Sequence, residues 1–261
     1  LKETLPLRFS VHFRGTLWNT VALSAQNILF LELRDELKRR VTFSALRYDR
    51  GVFTWQDREV AEKWWIGLLA ASGNTLLLQR FNPETPESRG LVVVDAGTGE
   101  MLWTRDEFVV DRVGDGWVSG YSGSGREGLV LDLASGRRID KKSDTELVDD
   151  KISVPLRPFR YEAGTPYYDT VQKFLITRFN HSPEGSVEYL EFEGKVVISY
   201  HIRMPNGLAN HLLVLRDSGA VLLHTRIAEA LKGLGTDTFF VLAGCLFFVR
   251  NGDEFLSYQL S

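Results

Sequence analysis

The stretch Leu91-Val92-Val93-Val94-Asp95-Ala96-Gly97-Thr98-Gly99-Glu100-Met101-Leu102-Trp103 decides the fold. An apolar run is followed by an acidic turn closed by glycine, and a second run ends in an aromatic. That order spells a β-hairpin: Asp gathers nearby backbone amides in a tight turn, and Gly supplies the positive φ the turn demands. Weaker copies lie on either side. Gly15-Thr16-Leu17-Trp18 and residues 47–55 precede it; residues 129–139 and 213–223 follow. The closing glycines are Gly15, Gly51, Gly99, Gly136 and Gly219, so the steps are 36, 48, 37 and 83 residues. Small sheets repeating about every forty residues are the blades of a β-propeller. The terminal aromatic fills space between twisted neighbouring sheets, which predicts packing roles for Trp18, Trp55 and Trp103.

The expected architecture is therefore all-β: a single β-propeller domain over residues 1–261 with five irregular blades. Six result if 154–161 and 174–179 are strands. Residues 8–13 and 15–18 read as the outer part of one blade, and 238–242, 245–249 and 254–258 as its inner strands. Joining the termini in one sheet closes the ring and covers its edges. Residues 140–185 break the pattern and read as an insertion carrying one helix. Thr165 is its N-cap, Pro166 its first residue, and Tyr167, Val171, Phe174 and Leu175 fall on one face. A short helical turn is expected over 227–234.

Composition narrows the function classes. Hydrophobic residues make up 44% of 261, enough for a sizeable core. With 31 basic and 34 acidic residues the net charge is −3, which offers no electrostatic footprint for nucleic acid or an anionic membrane. The longest apolar runs, such as Leu212-Leu213-Val214-Leu215, are strand-length and too short to span a bilayer. Cys245 is the only cysteine; it lies in an apolar hairpin and reads as a buried small hydrophobe. A cytoplasmic location is the expectation, with the opening Leu1 leaving room for an upstream segment.

The run from Val94 to Trp103 resembles the tryptophan-docking repeat of quinoprotein-like β-propellers. Residues 131–139 form a degenerate copy with Ile139 in the Trp position. The resemblance covers about one seventh of the chain and implies fold, not activity. In quinoprotein dehydrogenases the cofactor is gripped by other elements, including a vicinal cysteine pair and acidic calcium ligands. One cysteine cannot supply that pair, so no cofactor is expected. As a whole the chain is similar to an uncharacterised bacterial family of unknown function, which implies no mechanism.

Few residues point to chemistry. His201 and His211 flank a loop, 202–210, between two strands; paired across a hairpin they could share a metal, with His181 or Glu188 as a third ligand. Two ordinary loop-edge histidines are the competing reading. Glu62-Lys63-Trp64-Trp65 opens a strand, so one of Trp64 and Trp65 faces the core and the other can meet a ligand, with packing of both between blades as the competing and favoured reading. The insertion adds Phe159, Tyr161, Tyr167, Tyr168 and His181, on an irregular segment where sites tend to lie, although anchoring the insertion would use the same aromatics. The glycine-rich 120–125 precedes a strand rather than a helix, so it is a flexible loop and not a phosphate cradle. Residues 32–40 read as a solvated hairpin of mixed charge, and Asp149-Asp150 as a solvated pair. No nucleophile elbow or catalytic triad can be assembled, so no catalytic residue is nominated. The reading is a non-catalytic binding or scaffold propeller for a protein, peptide or carbohydrate. Its ligand residues are Trp64, Trp65, Tyr161, Tyr167, Tyr168 and His181. The alternative is a hydrolase or lyase with a polar site in the central channel.

Overall fold

The computed structural model describes residues 4–85, 87–122, 127–140 and 155–261. The polar run 141–151 with Asp149-Asp150, and residues 123–125 of the glycine-rich segment, lie outside them. The chain divides into two compact units, Arg14–Ser153 and Leu1–Phe13 with Val154–Ser261. Among the described residues the strands group into five antiparallel sheets with a single α-helix.

Strand β1 (Leu7–His12) belongs to the unit that also holds the C-terminus. The other unit is three consecutive meanders. The first is β2 (Thr16–Leu23), β3 (Ile28–Asp35), β4 (Arg40–Arg47) and β5 (Val52–Arg58). The second is β6 (Ile66–Ser72), β7 (Thr75–Phe81), β8 (Ser88–Asp95) and β9 (Met101–Asp106). The third is β10 (Phe108–Gly114), β11 (Trp117–Ser122) and β12 (Glu127–Asp132). The turn after β8 forms as its residues dictate. Asp95 Oδ1 accepts from the Gly97 and Thr98 amides at 2.9 and 2.8 Å, and Gly99 takes φ of 71°. Asp132, Ser135 and Gly136 repeat the device after β12.

One indole then pins each meander to the next. Trp55, ending the first, donates Nε1–H to Ala96 O at 2.9 Å and lies against Gly99. Trp103, ending the second, donates to Leu133 O at 2.8 Å and lies against Gly136. These are quinoprotein-like docking contacts, and they place Trp55 and Trp103 where packing was expected. Trp18 departs from the expectation: it is 63% exposed. The turn at Gly15 joins β1 to β2, which lie in different sheets, so Trp18 is on the first strand of its meander and not the last.

Residues 32–40 also differ from a solvated hairpin. Only the tip is exposed, with Leu37 at 99%. Glu32 is buried on the inner strand β3, pairs with Arg34 at 2.7 Å and accepts the Leu68 amide at 2.8 Å. Burial raises its pKa against the pull of that amide and of Arg34. Arg34 in turn lies 5.0 Å from the ring centres of both Trp18 and Trp64 and donates to Ile66 O at 3.0 Å.

The unit that holds β1 continues with β13 (Phe159–Glu162) and α1 (Pro166–Phe179). Strands β14 (Pro183–Phe192), β15 (Lys195–Met204), β16 (Gly207–Arg216) and β17 (Val221–Leu231) follow. These five strands form one sheet in sequence order, with β13 at its edge although α1 intervenes before β14. Thr165 caps α1 by accepting from the Tyr168 amide, and Pro166 opens it. The helix reaches Phe179, so the segment that a sixth blade would need as a strand is helical. Residues 227–231, expected as a helical turn, are strand. Cross-strand pairs Asn210↔Ala228 and Leu208↔Leu231 decide this over the helix-favouring Ala-Glu-Ala-Leu composition.

Side chains alternate across this sheet. Ile198, Tyr200, Leu213 and Leu215 face α1 and pack with Tyr168, Val171 and Leu175. Val197, Leu212 and Val214 face the other way, onto the last sheet, with Phe239, Val241, Leu246 and Phe248. That sheet is β18 (Phe239–Leu242), β19 (Cys245–Arg250) and β20 (Glu254–Gln259), with β1 paired to β20 from Phe9↔Ser257 to His12↔Glu254. Both termini thus share one sheet, as the patterning required. Cys245 is buried within it.

Candidate metal centre

Three histidines meet at one end of the face that α1 covers. His181 follows the helix. Asn180 adopts the left-handed conformation and its amide bonds back to Ile176 O, while the His181 amide reaches Leu175 O at 3.3 Å. That cap turns the chain toward the sheet and brings the His181 ring with it. His211 comes from β16 and His224 from β17, where Leu213↔His224 is a register pair two places from His211. Residues two apart on a strand share a face, so both rings point to the helix side.

Tyr200 organises the group. It is directly opposite His211 on β15, and its ring stacks on the His211 ring at 5.6 Å and 19°. Its hydroxyl lies 2.8 Å from His181 Nδ1 and 2.9 Å from His224 Nε2. One hydroxyl can donate to one ring and accept from the other, so it orients both rings; a nitrogen bonded to it is not at the same time a metal ligand. Phe179 closes one side, edge-on to His224 at 4.7 Å.

One ring nitrogen from each histidine lies within 4.8 Å of the others. The ring centres are 5.0, 5.6 and 5.7 Å apart. Around a tetrahedral zinc, bonds of about 2.0–2.1 Å plus roughly 1.2 Å from nitrogen to ring centre put the centres about 5 Å apart. The ring centres are therefore near coordination spacing, while the nitrogens, within 4.8 Å of one another, must draw in to the roughly 3.3 Å that two such bonds span at a tetrahedral angle. Burial lowers the pKa of all three histidines. For His211, to about 4, nearby His181, His224 and Arg226 add to burial. Neutral imidazoles are the form a metal takes. Burial pushes the Tyr200 hydroxyl well above the ordinary phenol range, so it is a neutral partner.

His201 is not part of this group. The turn between β15 and β16 is tight, with Met204↔Gly207 as its last pair, and the strands run through the segment read as a loop. His201 is then opposite Asn210 and His211 opposite Tyr200, so His201 and His211 point to opposite faces. The cross-hairpin pair that could have shared a metal does not form. His201 is buried on the far face, where Nε2 accepts the Gly235 amide at 3.1 Å. Glu188, the other third-ligand candidate, is buried there too. It accepts the Asp237 and Thr238 amides, and Thr238 Oγ1 lies 2.5 Å from its Oε2.

The remaining nominated residues fall into two groups. Tyr168 is buried and its hydroxyl donates to Pro183 O at 2.8 Å, so it anchors α1. Tyr167 is 67% exposed and stacks on half-buried Tyr161 at 5.1 Å, beside Phe159 at 69% exposure. Trp64 and Trp65 belong to the other unit. They precede β6 in an irregular segment where the Glu62 carboxylate accepts both amides at 3.1 Å. Trp64 is half-buried against the core and under Arg34 and Arg39, a packing role. The residues missed from sequence are Tyr200 and His224. Both were legible only through strand register, since each shares the parity of His211 across a neighbouring strand.

A family model described as a domain of unknown function (DUF4905) matches residues 23–103. No curated protein matches. Among solved structures, the chain is similar to BamB from Moraxella catarrhalis, with 12% identity over 98% of this chain and 100% of that one, at a TM-score of 0.27. It is similar to quinohemoprotein alcohol dehydrogenase from Comamonas testosteroni, with 15% identity, 96% and 44% coverage and a TM-score of 0.34. For a europium-containing methanol dehydrogenase the values are 10%, 95%, 52% and 0.32. The chain thus spans about half the length of the two dehydrogenases. No described helix is long and apolar enough to cross a membrane.

Proposed function

We propose that this chain is a metal-binding protein whose centre is His181, His211 and His224. The ion is a divalent transition metal of the zinc class. One observation carries the reading: three imidazoles from three separate elements converge, with one ring nitrogen of each within 4.8 Å of the others and a hydroxyl orienting two of the rings. Imidazole nitrogens suit zinc, copper, nickel and cobalt and do not suit calcium or magnesium, which take oxygen donors. Three protein ligands leave a fourth position open, and His224 is exposed to solvent.

The test is a zinc titration of the full chain against a chromophoric chelator. Binding is expected at one ion per chain, and alanine at His181, His211 or His224 weakens it by at least about tenfold. Alanine at exposed His12, remote in sequence and facing Asp253, leaves it unchanged. Zinc affinity that survives all three ligand substitutions would refute the reading.

A second reading is favoured by the exposed aromatics. Phe159 with the Tyr161–Tyr167 stack offers a flat surface to a carbohydrate or peptide. Glycan-array signal lost in Tyr167→Ala and Phe159→Ala supports it; an array without signal removes the carbohydrate version.

A further inference from the structure

The metal reading leaves charge unaccounted for. Three neutral histidines lend no negative charge, so a bound dication keeps its full +2. The group next to it is positive as well. Arg226 on β17 is the register partner of His211, two residues beyond His224 on the same face. It is half-exposed, and strand pairing sets its backbone directly opposite that of His211. It pairs with Glu229 at 3.0 Å, itself 57% exposed. A solvent-exposed pair of that kind contributes little and exchanges readily. A dication with an open position and an adjacent guanidinium fork together fit one ligand chemistry. One oxygen of an oxyanion fills the metal's open position, and another accepts from the guanidinium.

We infer, resting on the metal reading above, that the loaded centre binds a small oxyanion, a carboxylate or phosphate group, between the metal and Arg226. His224 exposes the open position to solvent, and Phe179 walls the centre on one side, which limits the group to a small or terminal one. Arg226 is a specificity residue on this view: it selects the charge and planarity of what reaches the metal.

The experiment uses the full chain loaded with cobalt(II), whose visible absorption reports its ligands. Cobalt is first titrated to saturation in each variant, so differences in metal affinity drop out. Acetate and inorganic phosphate are then added in separate arms. The expected result is a saturable spectral change with at least one of them, at least about tenfold weaker in Arg226→Gln and partly restored in Arg226→Lys, which keeps the charge but not the fork. The arm that binds tighter assigns carboxylate or phosphate. Cobalt binding with no anion response, or an equal response in Arg226→Gln, overturns the inference and leaves the metal reading standing. No cobalt binding overturns both. Circular dichroism of each variant establishes folding, and Arg226→Lys carries the test if the Gln variant is unfolded.

Discussion

The docking contacts make a quantitative claim about Trp55 and Gly99. A Cβ added at Gly99 would stand 2.9–3.0 Å from three atoms of the Trp55 indole, and the residue holds φ of 71°. Gly99→Ala therefore carries two costs. The left-handed backbone costs about 1–2 kcal/mol with a Cβ present, and overpacking against the indole adds about 1–3 kcal/mol. Trp55→Ala costs about 3–5 kcal/mol as a buried aromatic truncation. In the double variant the indole is gone, so only the backbone part of the Gly99 penalty remains. The two substitutions should then be less costly together than separately by about 1–3 kcal/mol, well beyond the scatter of independent sites. Urea unfolding of the four proteins, followed by circular dichroism with m-values compared, measures this. The Trp103–Gly136 pair has the same geometry at 2.8 Å and must return a coupling of the same sign. Additivity within about 0.5 kcal/mol at both pairs would refute docking as the link between meanders.

Three further outcomes follow from named contacts. Arg34→Gln should destabilise by about 3–5 kcal/mol in urea unfolding, because it leaves the Glu32 carboxylate buried without its cation; a change under about 1 kcal/mol would show that the carboxyl is already protonated or rehydrated. Burial raises the Glu188 pKa, so the native state holds this proton more tightly than the unfolded chain does. Its contribution is full below the ordinary carboxylate range and lost as pH rises through the folded value; urea midpoints between about pH 4 and pH 8 should show that decline and lose it in Glu188→Gln. Thr165→Ala should cost about 1 kcal/mol through the N-cap of α1, and a neutral result would place the helix start elsewhere.

The meanders were legible because their information is local. Asp95 to Gly99 carries turn and docking platform within five residues, and Thr165-Pro166 carries cap and first turn within two. The shared sheet of the termini was legible as well, since unpaired strands at both ends need one another. What failed was long-range or depended on parity. Trp18 matches the repeat locally, yet its strand begins a meander. Glu32 and Arg34 look solvated in a charged run, yet Glu32 is buried and Arg34 half-buried, because this inner strand is covered on both faces and buries every residue from Ile28 to Leu33.

The candidate centre failed to show in sequence for the same reason, in a sharper form. Placing a loop at 202–210 leaves His201 and His211 as neighbours across a gap. The actual turn is closed by Met204↔Gly207, so the ladder runs unbroken through Ile202↔Ala209 and His201↔Asn210 to Tyr200↔His211. A shift of one residue exchanges the two faces of a strand. It sends His201, with Glu188, Ser199 and Asn210, into a polar network against Thr238, and leaves His211 with Tyr200 on the helix side. On that face β17 contributes His224 by parity, and the capped end of α1 contributes His181. None of the three needs a motif, since each is supplied by a different element and their sequence spacing is incidental. A metal site of this kind becomes readable only once the register of β15, β16 and β17 is known, and the same register puts Arg226 beside it.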